Sequence, residues 1–383
     1  MRFLVLGAGA QGSACALDLA RSEGVDGVVL ADREVSRPRA YLTPYLGSKI
    51  EMRTLDAGDL EQVRAAMADV DAVACALPYY FNTEMTRLAI EAGAHFCDLG
   101  GNTEIVDEQR AFSEGAVAAG VSVVPDCGLA PGMVNILAQG GIDAMDDVSS
   151  VRMYVGGLPQ HPKPPLNYTL VYSMEGVLDY YTTPVLVLED GKVAEKEALS
   201  GVETVGFPEP VGELEAFLTA GGVSRMPYRY EGKIAEMSYK TLRYPGHAAL
   251  MRSMRDLGLF DVDPVDVHGV EVSPRDVFIS VVTPHIVDPH GDDLVAMRVV
   301  VEGHKDGAPR TVRFDVLDFH DPELGVTAMM RTTGYSLAAI TRLQAQGAVR
   351  PGVHTPAECI DLDAYVGALG ERGIVIERTD QAS

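Results

Sequence analysis

No stretch of this chain approaches the roughly 18 consecutive apolar residues that a membrane-spanning helix needs. The first twenty residues do not read as a secretory leader either. The apolar run at residues 3–6 gives way to glycines, and Asp18 and Arg21 break up the next stretch. Positive charge is scarce: Lys and Arg number 31 against 55 Asp and Glu, a net charge of −24, and only seven of the 31 are lysine. No clustered basic stripe of the kind that grips phosphates is present, which excludes nucleic acid as a partner. The shortage of lysine fits adaptation to salt and base composition equally well. Cysteine is sparse as well. Cys15, Cys75, Cys97, Cys127 and Cys359 form an odd, widely spaced set with no C-x-x-C pair. That pattern indicates reduced thiols, and hence a cytoplasmic location, rather than a disulfide framework. Internal repeats and low-complexity tracts are absent. What remains is an ordinary globular balance, 47% hydrophobic and 22% charged over 383 residues, enough for two or three domains.

The strongest local signal comes first. A short apolar run at residues 2–6 leads into Gly7-Ala8-Gly9-Ala10-Gln11-Gly12 and then a helix-compatible stretch. A second run, at residues 28–31, ends at Asp32, twenty residues after Gly12. Strand, glycine-rich turn, helix and acid at that distance fit a dinucleotide-binding fingerprint. Gly7 permits the tight turn, Gly9 lets the backbone approach the pyrophosphate, and Gly12 allows close helix–strand packing. Ala10 and Gln11 open the helix, whose N-terminus attracts anions. Asp32 is expected to accept from the adenosine ribose and to repel a 2′-phosphate, favouring NAD over NADP. Arg33 beside it is placed either to stack on adenine or to meet such a phosphate.

Strands and helices then alternate: strands at 51–55, 72–77, 95–99 and 121–125, and helices at 60–70, 82–92 and 102–119. Such alternation means a parallel sheet whose ligands sit beyond the strand C-termini. Asp56, Leu77, Pro78, Leu99 and Gly100 are accordingly expected to line the dinucleotide. Asp98 and Asp126, at adjacent strand ends, are candidates to receive an amine or activate water; the competing reading is that each caps a following loop or helix. After residue 150 the periodicity changes to two. Residues 185–189 and 193–197 flank Asp190-Gly191, a hairpin signal. Alternating runs at 295–301 and 312–316, joined by a turn at 302–310, indicate an antiparallel sheet with one buried face. A helix is expected at 247–257, another at 335–346, a last one at 362–369, and a closing strand at 373–376. The fold class is therefore α/β. A Rossmann dinucleotide-binding domain occupies residues 1–130. A mostly antiparallel α+β domain for substrate and oligomerisation is inserted over 131–330, and a C-terminal segment, 331–383, returns to the first domain.

These motifs also carry a resemblance. GAGAQG at residues 7–12, DLGGNTEI at 98–105, VVPDCGLAPGMVNIL at 123–137, GGLPQ at 156–160, the run at 167–192 and KTLRYPGH at 240–247 together resemble the saccharopine dehydrogenase family. LEAFLTAGG at 214–222 makes the chain most similar to the lysine 6-dehydrogenase branch. The resemblance implies an NAD(P)-dependent oxidoreductase acting on a C–N bond. It implies oxidative deamination of the side-chain amine of L-lysine or a similar amino acid with NAD, and a second domain that contributes substrate and dimer contacts. It also singles out Arg243 as a clamp for an α-carboxylate, His247 as a general base and Tyr172 as a weaker substrate contact. For a lone Arg or His the competing reading is a surface ion pair or a satisfied buried imidazole. Cys127 invites a thiohemiacetal mechanism, but no thiolate-stabilising group accompanies it, so a small buried thiol is expected. His161, His285, His290 and His320 show no metal-ligand spacing, and no metal is expected. The expected partners are a small amino-acid substrate and a second copy of the chain. The alternatives are a saccharopine- or carboxyspermidine-type C–N reductase, which would need extra basic residues, and a non-catalytic NAD-binding sensor.

Overall fold

The computed structural model describes residues 1–171, 173–288 and 291–382. They form two compact units. The first comprises Met1–Asp143, Ser224–Met226 and Asp321–Ile376; the second comprises Ala144–Val223, Pro227–His320 and the C-terminal stretch from Glu377.

In the first unit, short β-branched and apolar runs form β1 (Arg2–Leu6), β2 (Gly27–Asp32), β3 (Ile50–Thr54), β4 (Ala72–Cys75), β5 (His95–Asp98) and β6 (Ser122–Val124). All pair in parallel, in the order β6-β5-β4-β1-β2-β3, with the two-residue strand Gly352–Val353 beyond β6. The switch in direction of winding falls at β1 and β4, where a doubly wound sheet binds its ligand. Alternate strand residues (Leu4, Leu6, Val29, Val73, Phe96, Val123) pack on α2 (Leu60–Met67), α3 (Asn82–Ala92) and α5 (Ser113–Ala119). On the other face α1 (Ala10–Arg21) lies beside the long helix Ala328–Ala345, and Gly334 is what lets them approach: a Cβ there would fall 2.7 Å from Ala14 and from the Gln11 carbonyl. The expected helix at 102–119 is in fact two, α4 (Thr103–Arg110) and α5, because Ala111 and Phe112 turn the chain between them. The long helix also starts seven residues earlier than the periodicity suggests, capped by the Thr327 hydroxyl, which accepts from Met330 N–H.

The second unit is a mixed sheet. Its order is β10 (Glu203–Gly206), β11 (Glu213–Leu218), β12 (Glu236–Arg243), β7 (Asp147–Pro159), then the strands Asp293–Lys305, Ala308–Phe319 and Glu377–Ala382. The hairpin β8 (Val185–Glu189) and β9 (Lys192–Lys196) turns at Asp190-Gly191 as expected and attaches to β12 through Leu188. Among its described strands only β12 and β7 pair in parallel. The turn between the two long strands is just Asp306-Gly307, much tighter than residues 302–310, since both strands keep their register to its edge.

The domain bounds differ from those expected at both ends. The helix α6 (Met133–Asp143) stays with the first unit, so the crossing falls at Asp143 rather than residue 130. The closing strand is Glu377–Ala382, not 373–376. It adds to the second unit's sheet by pairing with Ala308–Phe319 instead of returning to the first. Its residues are exposed and polar, so no hydrophobic alternation marks it.

Candidate functional site

At the β1 end the chain enters Gly7 with φ of +98°, where a Cβ would stand 2.9 Å from the Ala76 carbonyl oxygen and 3.5 Å from Leu77. Gly12 is tighter still: its Cβ would fall 1.8 Å from the Gly7 oxygen. Gly9 differs from both, because a Cβ there meets nothing within 4 Å. Protein packing does not demand glycine at that position, and the open side leaves the backbone free for a ligand to approach. Gly9 is also the N-cap of α1, and no side chain caps that helix, so Ala10, Gln11 and Gly12 begin a turn with N–H groups open to an anion. The Gln11 Oε1 is buried without a partner. Asp32 ends β2, and its carboxylate accepts the Ala8 N–H at 2.6 Å and the Glu34 N–H at 3.2 Å. Arg33 is exposed and makes no ion pair among the described residues. Asp56, just past β3, is exposed and holds the Gly58 N–H at 2.9 Å. Pro78 opens the turn Tyr79–Phe81 after β4, and Leu99 and Gly100 follow β5. The residues fit a dinucleotide: an uncapped helix start, a bare loop and a ribose-side acid all lie along the C-terminal ends of one parallel sheet.

Asp98 and Asp126 stand beyond two adjacent strands of that sheet, both buried. Asp98 Oδ1 accepts from Gly100 N–H at 2.7 Å and Asp126 N–H at 3.4 Å, while Oδ2 accepts from Gln109 Nε2 at 2.7 Å. Burial pushes the Asp98 carboxyl up to about 7, opposed by the Gln109 hydrogen bond and assisted by the neighbouring Asp126 charge. Asp126 takes a left-handed φ of +64°, unusual for a residue other than glycine. Its Oδ1 accepts from Gly101 N–H at 3.4 Å, and Oδ2 accepts a short hydrogen bond from the Ser224 hydroxyl. Burial raises this carboxyl to about 6, with Ser224 holding it down. The two acids are close-packed through Gly100, where a Cβ would fall 1.7 Å from Asp126 Oδ1. The helix-capping duty that competed for Asp98 belongs to Asn102, whose Oδ1 accepts from Glu104 and Ile105 N–H.

Gln109 and Ser224 are the supporting residues that the sequence did not mark. Gln109 sits on a polar helix with nothing to set it apart. Ser224 comes from a remote segment that joins the first unit for three residues only, and its left-handed φ of +51° after Gly221-Gly222 is the only local sign. Cys127 is a packing residue. Its thiol is buried, donates to the Val124 carbonyl at 3.0 Å, and is pushed far above the usual thiol range by burial.

In the second unit β12 delivers Arg243 into the interior, where its guanidinium lies 4.7 Å from the Tyr168 ring centroid and Nη1 donates to the Leu242 carbonyl at 2.8 Å. Glu215, its neighbour across β11, accepts from the Gly246 N–H at 2.9 Å and the Ala248 N–H, which starts the helix His247–Asp256 after the Pro245-Gly246 turn. His247 departs from the expectation of a general base. Both ring nitrogens are engaged: Nδ1 with the Leu166 carbonyl at 3.1 Å and Nε2 with the Tyr181 hydroxyl at 3.0 Å. The ring is stacked on Phe217, and burial, with the Arg243 charge, pushes it down to about 3. It is a neutral, satisfied hub rather than a base facing solvent. Replacing His247 by phenylalanine should therefore lower stability by about 1–3 kcal/mol in urea unfolding, through the orphaned Tyr181 hydroxyl and Leu166 carbonyl. The same substitution should leave the position of any activity limb between pH 6 and 7 unmoved. Tyr172 and His290 lie outside the described residues. Among the described residues, no three His, Cys, Asp or Glu side chains are grouped to hold a metal, and no helix is long and apolar enough to cross a membrane.

Comparison with known proteins gives a consistent answer over the whole chain. The family model described as saccharopine dehydrogenase NADP binding domain matches residues 3–124, and that described as saccharopine dehydrogenase C-terminal domain matches residues 128–374. Saccharopine dehydrogenase (NADP(+), L-glutamate-forming) of Schizosaccharomyces pombe is 27% identical over 244 residues, covering 61% of this chain and 53% of that protein. The chain thus spans about half the length of that relative. Carboxyaminopropylagmatine dehydrogenase of Synechocystis sp. is 22% identical over 97% of this chain and 96% of its own. The apo saccharopine dehydrogenase (L-Glu forming) structure from Saccharomyces cerevisiae shares the fold, with a TM-score of 0.82 at 20% identity and full coverage of both chains.

Proposed function

The chain belongs to the saccharopine dehydrogenase family, and on that premise we propose that it is a nicotinamide-dinucleotide-dependent oxidoreductase of a C–N bond, oxidising the side-chain amine of L-lysine or a close analogue. One observation carries the reading: two buried carboxyls raised to about 6 and 7 stand at the C-terminal edge of the same parallel sheet whose first strand leads into the glycine loop. An amine must lose its proton before its carbon can give up a hydride, which the bound dinucleotide accepts. Asp126 takes that proton, and afterwards helps water attack the imine. Its value of about 6 leaves it ionised at neutral pH yet basic enough to act. Asp98 positions it by accepting the Asp126 backbone N–H.

NAD is the proposed cofactor, because the Asp32 carboxylate occupies the place a 2′-phosphate would need. The opposing observation is that Arg33, Arg37 and Arg39 in the following loop are all exposed and form no ion pair among the described residues. A second reading, a reductase that joins a carbonyl to an amine, is favoured by the end-to-end match with carboxyaminopropylagmatine dehydrogenase.

The test is absorbance of the reduced nicotinamide with NAD or NADP and L-lysine, L-ornithine, saccharopine or a diamine. Reduction of NAD by lysine is expected. Turnover confined to NADP overturns the Asp32 argument. Turnover confined to saccharopine or a carboxylated polyamine replaces the first reading by the second, and dinucleotide binding without turnover across the panel overturns both in favour of a sensor.

A further inference from the structure

Large apolar side chains are unevenly spread over the surface. Of the sixteen that are exposed among the described residues, ten lie between Leu250 and Val287, in the second unit. Exposed apolar residues scattered singly need no explanation, but such a concentration marks an interaction surface. Its centre is an arm. The chain leaves the core at Phe260 and rejoins it at Phe278, whose rings lie 4.9 Å apart, and the Arg275 N–H closes the base on the Asp261 carbonyl at 3.1 Å. Between them the strands Val265–Val267 and Val270–Val272 form a two-stranded sheet of their own, turned at His268-Gly269 with φ of +55° and +85°. Every residue from 261 to 271 is exposed. A two-stranded hairpin is marginal in water by itself and needs a further strand or a packed face. Among the described residues nothing covers this one.

The register says which face is left bare. Val265 stands opposite Val272 and Val267 opposite Val270, so the four valines share one side, while Asp266 and Glu271 face each other on the other. Val265, Val267 and Val270 are 49%, 47% and 61% exposed. In the helix Pro274–Ile286 that follows, Phe278 and Ile286 are buried, but Val277 and Val281, one turn apart, are exposed. An anionic lipid surface does not suit this stretch. Between residues 255 and 276, Asp256, Asp261, Asp263, Asp266, Glu271 and Asp276 outnumber Arg255 and Arg275, which are already paired with Glu197 and Asp179. A different protein would be recognised through directional polar groups, and the valine face offers none. A second copy needs only a patch that complements itself across a two-fold axis, which an uncharged aliphatic face does. The exposed residues between Leu257 and Val287 are also about as many as the roughly 20–30 that one side of a stable interface contributes.

We propose that the valine face of this arm, with Val277 and Val281 of the helix after it, is the contact between two copies of this chain. Burial of the valines drives the association, and the net charge of −24 on each copy opposes it. The contact uses no residue of the glycine loop or the carboxyl pair, so it is independent of the proposed activity.

The experiment is sedimentation velocity of the full chain across a wide range of concentration, at low and high sodium chloride. A species of twice the chain mass is expected, and it should tighten with salt, which screens the repulsion between two acidic chains. Val267→Ser combined with Val270→Ser should raise its Kd at least a hundredfold. Val117→Ser, at an exposed valine of α5 in the first unit, should leave the Kd unchanged. Hydrogen exchange reports the place: amides of residues 265–272 should be protected where the dimer forms and should exchange freely on dilution below it. A monomer at every concentration, association weakened by salt, a wild-type Kd in the double serine variant, its loss in Val117→Ser, or arm amides indifferent to dilution would each overturn the proposal. The first of these outcomes would leave the arm to a different protein.

Discussion

Replacing Asp126 by asparagine should lower kcat/KM by about 10²–10⁴-fold, the usual contribution of a positioned proton acceptor, while dinucleotide affinity changes by less than about threefold. Asparagine keeps the size and the acceptor for Gly101 but cannot take a proton. Steady-state rates set against a fluorescence titration of dinucleotide separate the two effects, and equal losses in both would sink the assignment. The pH dependence carries the sign. Activity should rise through about pH 6 as Asp126 ionises. Ser224→Ala removes the hydrogen bond that holds this carboxyl down, so the limb should move to higher pH. Stability should move the other way. Asp98 and Asp126 hold their protons more tightly folded than unfolded, so the folded state is favoured below the usual carboxylate range and loses that advantage as pH rises through about 6 and 7. An enzyme that gains activity over the same interval in which it loses stability is the signature expected of a buried, working carboxyl pair.

The second large effect contrasts two glycines of one loop. Gly12→Ala drives a methyl group to within 1.8 Å of the Gly7 oxygen, and neither partner is a flexible side-chain end. The start of α1 must separate from the β1 turn, at a cost of about 3 kcal/mol, the upper part of the range for overpacking. Gly9→Ala meets nothing within 4 Å, so the protein should unfold at nearly the wild-type urea midpoint. Dinucleotide affinity in that variant should nevertheless fall tenfold or more, about 1.4 kcal/mol, because the methyl occupies the ligand's side of the loop. Urea unfolding paired with a dinucleotide titration on each variant checks both halves. Normal affinity in Gly9→Ala would mean that the open space beside that glycine holds nothing.

Those glycines show why the first unit is legible in its sequence. Each strand is short, buried and apolar, each crossover helix carries its own period, and the loop chemistry is local, so Gly7, Gly9, Gly12 and Asp32 declare themselves within thirty residues. Asp98 and Asp126 are visible for a related reason, since strand ends in a parallel sheet collect on one edge. Their supports are not visible. Ser224 reaches Asp126 from about a hundred residues away, and no pattern along the chain encodes that encounter. His247 illustrates the opposite failure. An imidazole in a distinctive motif invites a chemical role, but only tertiary contacts show Leu166 and Tyr181 occupying both its nitrogens. Glu377–Ala382 escaped notice because an exposed edge strand buries no side chains and so has no alternation to display.

The long helix Ala328–Ala345 lies on α1 and reaches the parallel sheet: the Thr341 hydroxyl meets the Cys97 thiol at 3.0 Å, and Gln344 Nε2 donates to the Phe96 and Ser122 carbonyls. During synthesis the six strands β1–β6 emerge long before that helix, because the ribosome must first make Ala144–His320. At the usual 5–20 residues per second the nascent sheet waits on the order of ten seconds or more with that face uncovered. Contacts so distant along the chain also slow folding in free solution. Chains truncated before residue 328 should accordingly be the aggregation-prone species during expression, however complete their dinucleotide loop, because the cover for β1–β6 is made about two hundred residues after the last of those strands.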